Sequence, residues 1–284
     1  MTEYLQSFMP VLSSAKGHLG DELNGYVHIL MALLMFGWGI FFIYCLFRFS
    51  KKNNPKASYT GVTNHYSKYV EGGIVLFEAV LLIGLAIPGY NLVKYDNISD
   101  TSHDEIVVRV VAQQFAWNIH YPGNDGKFGS TRVNLVDEET NPIGLDRKGF
   151  GADDITTINQ LHLPVDKMVK LYISSKDVIH SFSLPEMRVK QDAIPGMQVP
   201  IYFTPTMTSK EFIEKIKGSL RDGYVEGIPT SGGYEIACAQ LCGNSHYKMK
   251  GYMTIHSQEE YDNWLSQEAE YLESEGEDDW DDEW

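Results

Sequence analysis

The first third of the chain contains two stretches that are apolar almost throughout. Residues 26–47 (YVHILMALLMFGWGIFFIYCLF) carry no formal charge, and residues 72–93 contain one acid, Glu78. A helix that crosses a bilayer needs about 20 apolar residues. The pattern therefore predicts a transmembrane helix hairpin over residues 26–94.

Charge around these stretches predicts their orientation. Residues 48–69 contain Arg48 and four lysines and no acid. Because cytoplasmic loops are enriched in Lys and Arg, this basic loop is expected on the cytoplasmic side. The N-terminal segment, residues 1–25, and the chain beyond the hairpin would then lie on the outer face. Two buried helices of a soluble protein are the alternative, which the length of both stretches disfavours.

Beyond the hairpin, apolar residues tend to recur at every second position, as they do in β-strands. Residues 105–121 (EIVVRVVAQQFAWNIHY) and 168–175 (MVKLYISS) are rich in β-branched residues and partly alternate, as strands do. This pattern predicts an all-β sandwich or barrel over residues 95–267. Helical insertions are expected after Thr208 and Ser257, since each is followed three residues later by a Glu that can complete a capping box.

Acidic residues are concentrated at the end of the chain. The formal net charge is -15, but residues 268–284 hold ten acids and no base, which leaves about -5 for the rest. A segment so charged cannot bury itself, so residues 268–284 are predicted to be a disordered acidic tail. The acidity says little against membrane or protein partners, whereas no nucleic-acid partner is expected.

The segment CAQLCGNSHYKM, residues 238–249, combines two thiols, an imidazole and a thioether. Cys238 and Cys242 can form a disulfide, although so short a loop would strain it. Zinc prefers four tetrahedral ligands, and Met is a poor one. Thiolate, imidazole and a weak axial thioether are typical of copper electron-transfer sites. Two cysteines can bridge two coppers, which then need two imidazoles: His246 and another from elsewhere in the chain.

Two segments together, DVIHSFSLPEMRVKQDAIPG (177–196) and CAQLCGNSHYKM, resemble subunit II of the haem-copper cytochrome c oxidases. The resemblance extends to the two apolar stretches and to the aromatic segment QQFAW (113–117). It implies a cupredoxin-like domain with a binuclear copper A site. The implied ligands are Cys238 and Cys242 as bridges, His180 and His246 on one copper each, Met249 as one weak axial ligand and the backbone carbonyl of Gln240 as the other.

The resemblance implies the electron-accepting subunit of a proton-pumping terminal oxidase. Such a subunit takes electrons from cytochrome c or a similar donor, either free or within a supercomplex. It passes them to the haem-bearing catalytic subunit I, which reduces oxygen to water. Of nine histidines only His28 lies in an apolar stretch, so the oxygen-reducing centre is expected on another chain.

The same resemblance implies where the chain resides. It would be a multi-pass protein of a bacterial inner membrane, surrounded by lipid and by other oxidase subunits. Both termini and the copper domain would lie on the periplasmic face.

Further residues match family positions. Phe115 occupies the position at which the family accepts electrons, and Trp117 lies two residues further on; the alternative for both is a core aromatic of a strand. Glu71 matches the acid at the entrance of the family's K proton channel. Asp177 and Asp192 are candidates for ordering the donor surface or a subunit contact.

The sequence also departs from the family. Gln240 stands where the family often has a Glu whose side chain binds magnesium, so a weak or absent magnesium site is expected. His120 occupies a position that is often acidic, so an altered cytochrome-docking face is expected. Glu78 has no known family role, and a hydrogen bond to the large subunit is our interpretation. The absence of a C-x-x-C-H motif excludes a fused c-type haem.

Three other classes of protein share some of these features. A quinol oxidase subunit II has the same fold but lacks copper ligands. Nitrous oxide reductase carries copper A on a chain with a large propeller domain, for which 284 residues leave no room. A membrane-tethered copper carrier that acts alone would purify without haem-bearing partners.

Overall fold

The computed structural model describes residues 9–56, 59–60, 65–94, 105–217 and 233–278. Parts of several predicted segments lie outside the described residues: 1–8 of the N-terminal segment, 57–58 and 61–64 of the basic loop, 95–104 at the start of the β domain, 218–232 within it and 279–284 of the tail. The described chain falls into two units, which are considered separately below.

The first unit is helical. Its elements are α1 (Gly17–Arg48), α2 (Tyr66–Leu81), a π-helical turn (Leu82–Ala86) and α3 (Ile87–Lys94). Helices Gly17–Arg48 and Tyr66–Asn91 are long and apolar enough to cross a membrane. Both begin before the predicted apolar stretches, because helical hydrogen bonding continues through the polar residues that precede each stretch.

Large apolar side chains cover the outside of these helices. Trp38, Phe42 and Leu76 are 63%, 62% and 67% exposed, respectively. Water-soluble proteins rarely expose contiguous apolar surface of this size. The alternative of two buried helices in a soluble protein is therefore wrong for the described residues.

The second unit is a sandwich of two five-stranded sheets, which confirms the predicted all-β fold class. One sheet has the order β3-β2-β1-β5-β8, and the other has the order β4-β10-β9-β6-β7. The strands are β1 (Ile106–Gln113), β2 (Ala116–Tyr121), β3 (Ile155–Ile158), β4 (Gln160–Pro164), β5 (Val169–Ser175), β6 (His180–Leu184), β7 (Val189–Ala193), β8 (Val199–Phe203), β9 (Tyr234–Cys238) and β10 (Lys250–His256).

Alternating burial sets the register of the first sheet. Val108 and Val110 of β1 are fully buried, as are Leu171 and Ile173 of β5. The parallel pairing places Val108 opposite Leu171 and Val110 opposite Ile173. A slip of one residue would turn these side chains away from the core, so the hydrophobic pattern specifies the register.

Both predicted helical insertions are present. Helix α4 (Ser209–Lys217) follows Thr208, whose backbone N–H donates to Glu211 Oε2 across 2.8 Å. Helix α5 (Gln258–Asp278) follows Ser257, whose backbone N–H donates to Glu260 Oε2 across 3.2 Å. These contacts form the reciprocal capping boxes that the sequence predicts.

Helix α5 corrects the prediction of a tail that is disordered from residue 268. The helix continues through Asp278. Trp264, Leu265 and Leu272 pack against the hydrophobic core. Their spacing places them on one helix face, so the apolar stripe of α5 extends past the predicted boundary despite the surrounding acids.

Residues 10–18 belong to the β unit, although the sequence predicts residues 1–25 as a separate segment. Ser14 forms an antiparallel bridge with Pro205. The Ser14 hydroxyl donates to the Met187 carbonyl across 2.7 Å, and the Ser13 N–H donates to the Glu186 carbonyl across 2.9 Å. The β unit therefore includes chain that precedes the first long helix.

Candidate metal centre

The loop that follows β9 carries most of the predicted ligands. Cys238 ends β9 and Met249 immediately precedes β10. These strands pair antiparallel, with Ala237 opposite Lys250, so the base of the loop is closed. Hydrogen bonding between the strands therefore brings the two ends of the ligand segment together.

His180 reaches the same place from a neighbouring strand. It begins β6, which pairs with β9 and places Phe182 opposite Cys238. The His180 ring is fully buried, and its Nδ1 lies 3.9 Å from Cys238 Sγ. Sheet pairing thus supplies the second imidazole that the cysteine loop lacks.

The structure brings all six predicted ligand positions together. The two thiol sulfurs are 3.8 Å apart. Cys242 Sγ lies 3.5 Å from His246 Nδ1 and 3.7 Å from Met249 Sδ. Cys238 Sγ lies 3.2 Å from the Gln240 carbonyl oxygen. Both cysteines are free thiols, so the disulfide interpretation does not apply.

Asp177 orients the imidazole of His180. Its Oδ1 lies 2.8 Å from His180 Nε2 and also accepts the Val178 N–H. Burial alone would raise the pKa of Asp177, but these hydrogen bonds and one from the Gln114 N–H keep that pKa below its usual value. A carboxylate that accepts from Nε2–H leaves Nδ1 free to bind a metal beside the thiols.

Gln114 connects the two ligand-bearing loops, and sequence reasoning did not single it out. Its backbone N–H donates to Asp177 Oδ2 across 2.7 Å. Its side-chain Nε2 donates to the Cys242 carbonyl across 2.6 Å. The one feature that distinguishes Gln114 in the sequence is its position in QQFAW, directly before the candidate residue Phe115.

The interior of the centre is largely dry. Cys242 is 5% exposed and Met249 is 1% exposed. Burial, followed by the nearby Cys238 thiol, raises the pKa of Cys242 to about 11. A metal cation that binds here must therefore displace the proton of Cys242.

The two candidate electron-accepting aromatics occupy different environments. Trp117 is fully buried, with its ring centroid 6.3 Å from that of His180 and 5.3 Å from that of Phe182. Trp117 is thus a core aromatic behind the centre rather than a surface residue. Phe115 is half-buried, and its ring would lie 3.1 Å from a Cβ added at Gly243 in the cysteine loop.

The expectation that His120 alters a docking face is wrong. His120 is 1% exposed on β2, and its Nε2 lies 2.5 Å from Asp154 Oδ2. Burial lowers the pKa of His120 although the Asp154 carboxylate opposes the shift. The side chain points into the domain, where it forms part of a buried polar pair and cannot meet a partner protein.

The remaining candidates lie on elements other than those that carry the ligands. Asp192 is exposed on β7, opposite Ser181 of β6. Glu71 lies in α2, in the helical unit, and its Oε1 accepts a hydrogen bond from the Ser67 hydroxyl across 2.6 Å.

A β-sandwich with two thiols, two imidazoles and a thioether at one end defines a cupredoxin-like domain with a soft-metal centre. Residues 106–256 match the family described as cytochrome C oxidase subunit II, periplasmic domain. The chain therefore belongs to the cytochrome c oxidase subunit II family, which confirms the resemblance found in the sequence. It is a component of a haem-copper oxidase complex, an oxidoreductase, and its two apolar helices fit a membrane protein with a periplasmic domain.

Relatives extend the match beyond the β domain. The alternative cytochrome c oxidase subunit 2 of Bradyrhizobium diazoefficiens is 31% identical over 263 residues, covering 90% of this chain and 82% of the relative. Cytochrome c oxidase subunit 2 of Synechocystis is 28% identical, covering 92% and 76%, respectively. The solved periplasmic domain of subunit II of cytochrome oxidase of Bradyrhizobium japonicum matches with a TM-score of 0.38 and 22% identity, covering 60% of this chain and 96% of that one.

Proposed function

We propose that this chain accepts electrons from cytochrome c or a similar donor at a binuclear copper centre and passes them to the haem-bearing subunit of a proton-pumping oxidase. The observation that supports this best is the arrangement of the cluster around two sulfurs. Each thiol has its own imidazole, His180 beside Cys238 and His246 beside Cys242. Two thiols and two imidazoles could by themselves hold one tetrahedral metal. The Met249 thioether beside Cys242 and the Gln240 carbonyl beside Cys238 raise the set to six donors, more than one tetrahedral ion takes.

The donor set fits copper. Thiolate and thioether are soft ligands that select copper, and Met249 would be a poor zinc ligand. The proposed ligands are Cys238 and Cys242 as bridges, the imidazoles of His180 and His246, the Met249 thioether and the Gln240 carbonyl. Two coppers held between the thiolates would share one unpaired electron, so their bonds would change little on reduction.

The surrounding residues hold this ligand set in place. Asp177 directs His180 Nδ1 towards the thiols, and Gln114 ties the cysteine loop to Asp177. A rigid, water-poor site keeps the ligand positions similar in both redox states. We assign Phe115 to the donor side because it is the half-buried aromatic that lies against the cysteine loop.

Several finer assignments belong to the same proposal. The β domain and both termini lie on the outer face because the basic loop between the helices is cytoplasmic. Glu71, near the start of α2, lies at the cytoplasmic entrance of a proton channel formed with subunit I. A magnesium site at Gln240 is weak or absent because a neutral amide replaces a carboxylate.

Purification of the tagged full-length chain from its native membrane tests the proposal. The expected product contains haem-bearing partners, two coppers per chain and an EPR hyperfine pattern from one electron shared by two coppers. A chain free of haem partners would instead indicate a copper carrier that acts alone. A single copper, or preferential zinc binding, would refute the binuclear assignment.

A further inference from the structure

We propose that Glu78 is the polar contact through which α2 binds the haem-bearing membrane subunit, by a hydrogen bond within the hydrocarbon core of the bilayer. The partner group is a hydrogen-bond donor on the membrane-embedded surface of that subunit. This inference rests on the proposed function, which names the partner.

Glu78 lies well inside the apolar stretch of its membrane span. That stretch covers residues 72–93 within the helix Tyr66–Asn91 and its continuation, so Glu78 is six residues from its start and fifteen from its end. At 1.5 Å per residue, these ends are about 9 and 22 Å away along the helix axis. A Glu side chain is too short to reach either interface from there, and an unpaired carboxyl at that depth is costly.

The described part of the chain supplies no partner for this carboxyl. Glu78 is exposed on the helix, and no hydrogen bond or ion pair joins its carboxyl group to another described residue. Lipid tails offer no hydrogen-bond donor. A protein neighbour from another chain is therefore the group that can satisfy Glu78 in place.

The same helix face carries other polar groups. Glu71 precedes Glu78 by seven residues, which is nearly two full turns. Ser67 lies one turn before Glu71 and donates to its Oε1 across 2.6 Å. We call Ser67, Glu71 and Glu78 the polar stripe. Since Glu71 is proposed to border a proton channel of the large subunit, the stripe faces that subunit at Glu78 as well.

A π-helical turn follows Glu78 on the same helix. The Ile87 N–H donates to the Leu82 carbonyl, five residues back, and Pro88 has no N–H. Pro88 accounts for the turn, because a local π adjustment accommodates a proline within a membrane helix. The proposal therefore depends on Glu78 and the polar stripe and not on this turn.

Two substitutions in the whole oxidase test the proposal. Glu78→Gln keeps a hydrogen-bonding side chain, whereas Glu78→Leu removes it. After mild solubilisation and capture by a tag on this chain, Glu78→Gln should retain haem per chain and oxygen consumption. Glu78→Leu should lower haem per chain by roughly threefold to thirtyfold, the range expected for one interhelical hydrogen bond, with copper per chain unchanged. The matched control Val80→Leu, 200° around the same helix, should behave as wild type.

Photo-crosslinking identifies the face of α2 that contacts the haem-bearing subunit while Glu78 itself is unchanged. A photoreactive residue at Ile74, on the side of the polar stripe, should capture the haem-bearing subunit. One at Leu76, on the opposite side, should not. Because the crosslinking variants keep Glu78, this measurement is valid even if Glu78→Leu reduces the amount of the chain in the membrane.

Opposite results would overturn the proposal. They are wild-type haem per chain in Glu78→Leu, or capture from Leu76 but not from Ile74. If Glu78→Gln retained its haem but lost oxygen consumption, the group would be a proton carrier rather than a binding contact. A wild-type chain that purified without haem would instead refute the proposed function.

Discussion

The side-chain Nε2 of Gln114 donates a hydrogen bond to the carbonyl oxygen of Cys242 across 2.6 Å, between residues 128 positions apart in the sequence. The backbone N–H of the same Gln114 donates to Asp177, which holds His180. The turn between β1 and β2 therefore supports both loops that carry the proposed copper ligands.

Replacing Gln114 with Ala should loosen the cysteine loop without removing a ligand. One net hydrogen bond contributes about 1 kcal/mol, so copper should be lost to a chelator roughly fivefold faster, with the copper stoichiometry initially intact. The hyperfine pattern should become less symmetric. Gln113→Ala is the matched control, because Gln113 bonds to Glu138 and Asn118 instead of the cysteine loop. Equal copper loss in both variants would contradict the proposed role of Gln114.

The bridging and axial ligands should respond differently to substitution. Cys238→Ser or Cys242→Ser should abolish the signal of an electron shared between two coppers, because one thiolate bridge is lost. Met249→Leu should retain copper while the potential and symmetry shift, since an axial thioether binds weakly. EPR of the purified oxidase distinguishes these outcomes. A shared-electron signal that survives Cys238→Ser would show that this thiol is not a bridge.

Phe115→Leu should slow electron transfer from the donor severalfold and leave copper content unchanged. The aromatic ring lies against the cysteine loop at Gly243, so its loss would remove contact between the proposed donor side and the centre. Stopped-flow reduction by the donor measures the step directly. Phe150→Leu, an exposed aromatic change elsewhere in the β unit, serves as the control. An unchanged rate in Phe115→Leu would remove this residue from the electron path.

The β unit should lose stability as the pH falls from about 6.5 towards 4. His162 is stacked on Trp264, with ring centroids 4.3 Å apart, and its Nδ1 lies 2.8 Å from His256 Nε2. Burial, followed by the neighbouring His256, lowers the pKa of His162 to about 4.

The sign follows from proton binding. Between pH 6.5 and 4 the unfolded chain binds a proton at His162 that the folded chain excludes, so stability is complete above 6.5 and falls below it. The loss from this residue is at most about 3 kcal/mol. His162→Phe keeps the stacking and should flatten the pH dependence of thermal unfolding measured by near-UV circular dichroism. Identical slopes in both proteins would show that His162 is not responsible.

Local patterns in the sequence were sufficient to predict the architecture, and they indicated the types of ligand in the proposed metal centre. The apolar stretches around residues 26–47 and 72–93, the alternation in β1 and β5 and both capping boxes depend on neighbours within a few positions. The cysteine segment identified soft-metal chemistry because thiol, imidazole and thioether lie close together in it. The resemblance then supplied His180 as the distant imidazole.

Contacts between distant residues were decided only by the tertiary structure. The burial of His120 against Asp154, the packing of Leu272 on the core and the hydrogen bond from Gln114 to Cys242 each join segments far apart in the chain. Hydrophobic periodicity reports which face of a strand or helix is buried, but not which distant group lies opposite that face. Sheet pairing and packing determine those neighbours. They also distinguish the two aromatic candidates, because Phe115 remains half-buried whereas Trp117 is fully buried.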